Sequence, residues 1–171
     1  AGLKKDGLPY RGFLYFGLML TPNGPKVIEY NCRFGDPETQ VVLPLLETDI
    51  MDIIEAVWEE KLDTLDIKWS DKSCACVVMA SGGYPEKYET GKVISGLDEN
   101  GQCEGAFVYH AGTKLEDGKF LTAGGRVLGI TAYGDTLKEA LDTAYKAVDT
   151  ISFEKAHYRH DIGKKALSAL K

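Results

Sequence analysis

Several features that would assign the chain to a common protein class are scarce or missing. The 171 residues include only four cysteines and three histidines, and acidic residues exceed basic ones to give a formal net charge of −6. No apolar run approaches the ~20 residues of a membrane-spanning helix, and no basic-plus-apolar leader opens the chain. The acidic balance argues against a surface for nucleic acid or anionic membranes. We therefore expect a cytoplasmic globular protein with neither kind of partner.

The few cysteines do not suggest a disulfide framework or a metal centre. Cys74 and Cys76 alternate within "SCACVVMA", which is typical of small apolar residues on a strand. A C-x-C pair with no second pair is a weak metal signal, and disulfides are rare in the expected compartment.

The first third of the chain predicts a β-hairpin followed by helices. Residues 12–20 form a nearly continuous apolar run, and Asn23-Gly24 is a strong hairpin signal before a returning strand over Lys26–Phe34. Asp36 is a good N-cap with Pro37 at the first helical position, so a short helix is expected there. A second helix is expected from Thr48-Asp49.

The remainder of the chain predicts several strands and one well-defined helix. The box Thr136-x-x-Glu139 is expected to begin that helix, and "DIGKKALSAL" a short terminal one. The composition shifts near residues 62–72, and we place the boundary between two domains there, over 1–66 and 67–171. The expected strands are Ser73–Ser81, Val93–Ser95 and Ala106–His110, then Lys119–Thr122 and Arg126–Tyr133 with Asp117-Gly118 and Gly124-Gly125 as turns.

The polar face of the second hairpin strand is the main candidate site. Glu29 and Asn31 are two residues apart, so their side chains point the same way with Cα atoms roughly 6.6 Å apart. Both carry the oxygen ligands that Mg²⁺ prefers, and one negative charge suits a cation whose other ligands are phosphates and water. Arg33 continues this face with a donor fork for a carboxylate or phosphate, and the helix beginning at Asp36 would add free N–H groups.

Spacing alone leaves a second interpretation open. Glu29 and Arg33 could form a surface ion pair beside a solvated Asn31, because a lone E-x-N-x-R pattern is not specific.

The longer motif "EYNCRFGDPETQ" resembles the phosphoribosylamine–glycine ligase (glycinamide ribonucleotide synthetase) family of the ATP-grasp superfamily. The stretches "VVMASGGYPEKYETG", "FVYHAGTKL", "GGRVLGITA" and "YRHDIG" also resemble that family, in its order, so that the likeness runs from about Tyr10 to Leu167. The resemblance implies an α+β fold. It consists of the C-terminal part of an ATP-grasp domain, with antiparallel strands plus helices, and then a small, mostly β C-terminal domain with a packed helix.

The family's chemistry, as the resemblance implies it, is the ATP-dependent ligation of glycine to 5-phosphoribosylamine with Mg²⁺ or Mn²⁺. By position, Glu29 and Asn31 match the metal ligands, and Arg33 matches the arginine that holds the carboxylate or acyl phosphate being activated. Asp36 caps the helix, contacts the incoming amine, or does both.

Two further residues are candidates on the same grounds. Met19 lies where the superfamily often packs an apolar side chain under adenine, although a plain core role is equally compatible. Arg126, after the Gly124-Gly125 turn, is a candidate for the ribose phosphate or is simply exposed.

The sequence departs from the family in two ways. The strand "YFGLML" carries Gly17 where many superfamily members have another ligating carboxylate, and the resemblance covers only the C-terminal part of a longer enzyme. We therefore expect a fragment that is inactive without the N-terminal remainder. Another ATP-grasp carboxylate–amine ligase and a non-catalytic binding module of the same fold are the alternatives.

Overall fold

The computed structural model describes residues 2–169, which form an α+β structure of two contact-defined units. The first unit comprises the residues up to Thr39 together with Leu46–Ser70, and the second comprises Gln40–Leu45 and the residues from Asp71 onwards. The boundary predicted between residues 66 and 67 stays a prediction. No helix within the described range is long and apolar enough to cross a membrane.

The first unit contains the expected hairpin. After a short helix α1 (Gly2–Lys5), strand β1 (Tyr15–Thr21) pairs antiparallel with β2 (Gly24–Asn31), and a register shift follows Gly17. Gly24 has a φ of 89°, a conformation that glycine adopts without strain, which explains its place at the turn. Strand β2 ends at Asn31, so the expected continuation to Phe34 was wrong.

The segment after the hairpin also differs from the prediction. Residues 36–38 form a turn with a cis bond between Asp36 and Pro37, and helix α2 (Thr39–Val42) begins only at Thr39. The predicted helix start at Asp36 was therefore wrong. The Thr39 N–H donates to the Gly35 carbonyl at 3.0 Å across this turn, and α2 continues the chain from there.

Two 3₁₀ turns and one longer helix complete this part of the chain. A 3₁₀ turn over Leu43–Leu45 follows α2, and α3 (Ile50–Trp58) is capped by Asp49, whose carboxylate accepts the Met51 N–H at 2.8 Å. A second 3₁₀ turn spans Leu62–Thr64. The helix predicted from Thr48-Asp49 is thus confirmed.

The second unit is built on antiparallel sheets. Its strands are β3 (Ser73–Ala80), β4 (Phe107–His110), β5 (Thr113–Glu116), β6 (Lys119–Thr122) and β7 (Arg126–Gly134). Strand β7 lies between β3 and β4, whereas β5 and β6 form a separate hairpin. Helix α4 (Leu137–Val148) packs on β7 and β3, and α5 (Lys164–Ala169) ends the described chain.

Two expectations for this unit were wrong. Val93 and Ser95 form only isolated bridges, to Leu121 and Ser152, and because the two residues pair with different segments no continuous ladder forms. Gly124-Gly125 does not join β6 to β7 as a hairpin, since both edges of β7 are already paired by β3 and β4.

The core of this unit lies between β7, β3 and α4. Its fully buried side chains include Val77, Met79, Val127, Leu128, Ile130, Ala144 and Val148. Thr136 and Glu139 form both bonds of the predicted capping box, which orients α4 against the sheet. Burial, with the neighbouring Cys76, raises the pKa of the Cys74 thiol to about 11, so this residue is a neutral, small apolar side chain.

Candidate functional site

A depression in the first unit brings the polar residues of the hairpin together with those of the segment that follows. It has a volume of about 290 Å³ and opens to solvent. Six of the side chains that line it carry polar groups: Tyr15, Glu29, Asn31, Arg33, Asp36 and Glu38.

The hairpin itself positions Glu29 and Asn31. They share one face of β2, and the Asn31 Nδ2 donates a hydrogen bond to Glu29 Oε1 at 2.9 Å. This leaves the amide oxygen Oδ1 of Asn31 and the carboxylate of Glu29 as adjacent oxygen donors. The pairing of Glu29 with Asn31, and not with Arg33, argues against the ion-pair interpretation left open above.

Gly17 lies directly opposite Glu29 in the β1–β2 register. A Cβ at residue 17 would come within 2.9 Å of Glu29 Cγ, closer than real side chains approach. The Glu29 side chain therefore lies across Gly17. An acidic residue at position 17 would displace the Glu29 side chain. This gives a physical reason for the missing acid on the first strand.

Arg33 reaches the depression by a different route from the one predicted. It lies beyond the end of β2, in a bend, and its Nη1 donates to the Phe34 carbonyl at 2.8 Å. The guanidinium therefore does not extend a strand face, although it lines the same depression as Glu29 and Asn31.

Asp36 is exposed in the turn before α2 and lines the depression. Since α2 has only four residues, it cannot develop the dipole of a longer helix, and the anion site expected at its start is not formed.

Tyr15 and Glu38 are the polar residues of the depression that the sequence did not single out. Burial, followed by the charge of Glu38, raises the pKa of the Tyr15 phenol. The available signals were the hairpin register, which places Tyr15 opposite Asn31, and the position of Glu38 within "GDPE".

Two predicted residues lie outside the polar lining. Met19 is 54% exposed on β1, opposite Lys26, and is not part of the wall of the depression. Arg126 begins β7 in the second unit, where it is half-buried.

The charge of the depression suits a divalent cation. Glu29, Asp36 and Glu38 supply three carboxylates against the single guanidinium of Arg33. However, no group of three or more histidine, cysteine or acidic side chains within residues 2–169 is arranged to hold a metal. A cation bound by Glu29 and Asn31 would thus take its other ligands from phosphates and water, as Mg²⁺ commonly does.

Two family models match the chain. The model described as "Phosphoribosylglycinamide synthetase, C domain" matches residues 74–165, and "Phosphoribosylglycinamide synthetase, ATP-grasp (A) domain" matches residues 1–39. The second match includes the whole polar lining of the depression.

Relatives and a solved structure give the same result over most of the chain. A phosphoribosylamine–glycine ligase of Caldanaerobacter subterraneus is 57% identical over 160 residues, covering 94% of this chain and 38% of that protein. The trifunctional purine biosynthetic protein adenosine-3 of Gallus gallus is 50% identical over 170 residues, covering 99% of this chain and 17% of that protein. The crystal structure of a Thermotoga maritima phosphoribosylamine–glycine ligase matches with a TM-score of 0.75 at 37% identity, over 94% of this chain and 39% of that one.

Proposed function

The chain belongs to the phosphoribosylglycinamide synthetase family, and on that basis we propose that it carries the metal- and carboxylate-binding part of an ATP-dependent ligase for glycine and 5-phosphoribosylamine. A glycine carboxylate oxygen attacks the γ-phosphate of ATP, which gives glycyl phosphate and ADP. The amine of 5-phosphoribosylamine then attacks the acyl carbon, phosphate leaves, and a proton is lost as the amide of glycinamide ribonucleotide forms.

The observation that carries this proposal is the placement of Glu29 and Asn31 beside Arg33 in one depression. Glu29 and Asn31 would hold Mg²⁺ or Mn²⁺, which supplies charge neutralisation for the phosphates during transfer. Arg33 would bind the glycine carboxylate through its planar donor fork, and so hold the attacking oxygen in place.

The remaining assignments concern the second substrate and the nucleotide. Asp36, exposed at the rim, would accept a hydrogen bond from the amine of 5-phosphoribosylamine and orient it for attack. Met19 would contact adenine, since its side chain is apolar and exposed, and Arg126 would bind the ribose phosphate. We also retain the division into domains over 1–66 and 67–171 and the cytoplasmic location as proposals.

The chain spans 38% of the length of its Caldanaerobacter relative, and one face of the hairpin is suited to contact the rest of such an enzyme. Opposite the polar face, β1 and β2 present large apolar side chains that are 49–83% exposed: Phe16, Leu20, Val27 and Tyr30. A two-stranded hairpin with such a face is marginal in water. We infer that an apolar layer from the rest of the ATP-grasp domain covers it.

The full-length polypeptide and the isolated chain provide the direct test. We expect ADP release that depends on both glycine and 5-phosphoribosylamine from the full-length protein, and none from this chain alone. Full turnover by the chain alone would refute the proposal that the site is completed by the rest of the enzyme.

Leu20→Glu should destabilise the full-length protein more than Leu62→Glu, a matched change at an exposed leucine outside the apolar face.

Glu29→Gln tests the metal assignment. The substitution keeps the shape of the side chain but removes its charge, so we expect the full-length enzyme to need at least about tenfold more Mg²⁺ for half-maximal turnover, comparable to losing a supporting residue of a metal site. An unchanged magnesium dependence would show that Glu29 is not a ligand.

A further inference from the structure

The proposed function leaves one carboxylate of the depression unused. Glu38 lines the same depression as Arg33 and Asp36, and burial together with the charge of Glu38 raises the pKa of the neighbouring Tyr15 phenol. Tyr15 in turn lies opposite Asn31 in the hairpin register. The Glu38 carboxylate thus lies beside the strand pair that carries the proposed metal ligands.

The turn around Gly35 determines where the Glu38 carboxylate lies. Gly35 is buried, and its carbonyl accepts hydrogen bonds from both the N–H and the hydroxyl of Thr39. A Cβ at residue 35 would lie only 2.5 Å from Glu38 Oε2 and 3.1 Å from Tyr15 Cζ. The carboxylate and the phenol ring therefore both pack against the glycine, and a larger residue would push them out of the wall.

The chemistry of an amino-acid substrate gives this carboxylate a role. Glycine at neutral pH is a zwitterion, so a site that binds its carboxylate through Arg33 also takes in an ammonium group. A charge taken from water without a partner is costly, which means that the ammonium requires an acceptor nearby. In the proposed function, Glu29 serves the metal and Asp36 serves the second amine.

Glu38 has the capacity for this bond. A carboxylate offers about four lone-pair sites, so it can accept several hydrogen bonds from a bound ammonium group. Packing beside the Tyr15 ring and Gly35 also restricts the Glu38 side chain, so less entropy is lost when a ligand binds.

We propose that Glu38, oriented by Tyr15, binds the ammonium group of the glycine whose carboxylate is held by Arg33. This inference rests on the proposed function and extends it to the basis of amino-acid recognition.

The test compares glycine with glycolate, which keeps the carboxylate but replaces the ammonium with a hydroxyl. In the full-length enzyme, Glu38→Gln should raise the KM for glycine roughly 10- to 100-fold, the value of a hydrogen bond to a charged group. The KM for ATP should stay unchanged. The preference for glycine over glycolate, measured as the ratio of kcat/KM for ADP release, should fall by the same factor.

Three variants separate this role from a structural one. Glu38→Asp keeps the charge and should retain part of the preference for glycine, and Tyr15→Phe should lower it by a smaller factor than Glu38→Gln. Glu47→Gln alters an exposed glutamate outside the depression and should leave kcat/KM unchanged for both glycine and glycolate. If Glu38→Gln changes kcat/KM by the same factor for glycine and for glycolate, or changes neither value, the assignment is overturned.

The same assays distinguish the assignment from the proposed function. If the wild-type enzyme releases no ADP in response to glycine, the proposed function fails and the role of Glu38 fails with it. If the wild-type enzyme is active and Glu38→Gln leaves the glycine-to-glycolate ratio unchanged, only the role of Glu38 is refuted.

Discussion

Gly17→Ala offers a way to move the Glu29 carboxylate without altering its chemistry. The new Cβ would lie 2.9 Å from Glu29 Cγ, whereas its distances to the Glu29 backbone N and O would be 3.6 Å, which is ordinary contact. Gly17 is not among the glycines with positive φ, so alanine fits its backbone conformation. The strand pairing should therefore survive, and the clash should fall on the Glu29 side chain alone.

The expected magnitude follows from how far that side chain must move. Carbon atoms pack best at about 3.5–4.0 Å, so Cγ must shift by more than about half an ångström, and the carboxylate beyond it by about 1 Å. A misplacement of about 1 Å at a reacting centre can cost on the order of 100-fold in rate. Alanine also removes the ~0.5–1 kcal/mol entropic disadvantage of glycine in a strand, which offsets much of the packing cost at an exposed side chain. Function should thus suffer more than stability.

The assay is ADP release by the full-length enzyme as a function of Mg²⁺ and ATP. We expect kcat/KM for ATP to fall about 10- to 100-fold, with the unfolding temperature shifted by only a few degrees. Gly2→Ala is the control, since an added Cβ there meets nothing within 4 Å. An unchanged magnesium and ATP dependence in Gly17→Ala would refute the argument, and so would a loss of activity fully explained by unfolding.

Two further predictions concern the second unit. Thr136→Ala removes the acceptor for the Glu139 N–H and should lower the free energy of unfolding by about 1 kcal/mol. Urea denaturation should show this as a lower midpoint with an unchanged m-value, and an unaltered midpoint would contradict the stabilising role of the capping box. The raised pKa of Cys74, about 11, means that the unfolded chain loses this proton at lower pH than the folded one, so stability should fall as the pH rises from about 9 towards 11. Cys74→Ala should make that fall in unfolding temperature shallower, and an identical pH profile would show that burial of this thiol has no energetic consequence.

Three local signals predicted their elements correctly, whereas a fourth, the helix start at Asp36-Pro37, was wrong. The Asn23-Gly24 turn, the Asp49 cap and the Thr136-x-x-Glu139 box each satisfy backbone groups next to them, and each element appears where expected. Strand β5 was missed, and β6 was expected to lead into β7 through the Gly124-Gly125 turn when its partner is β5. Which strands pair depends on segments far apart in the chain, and periodicity carries no information about that choice.

The same distinction holds for the site. The sequence alone determined that Glu29 and Asn31 share a face, because side chains two residues apart on a strand point the same way. Only the tertiary structure decided that Arg33 enters the depression from a bend, and that Glu38 meets Tyr15 there. The positions of these side chains depend on the turn at Gly35 and on the register in which β1 and β2 pair. Neither is a property of any short stretch of residues.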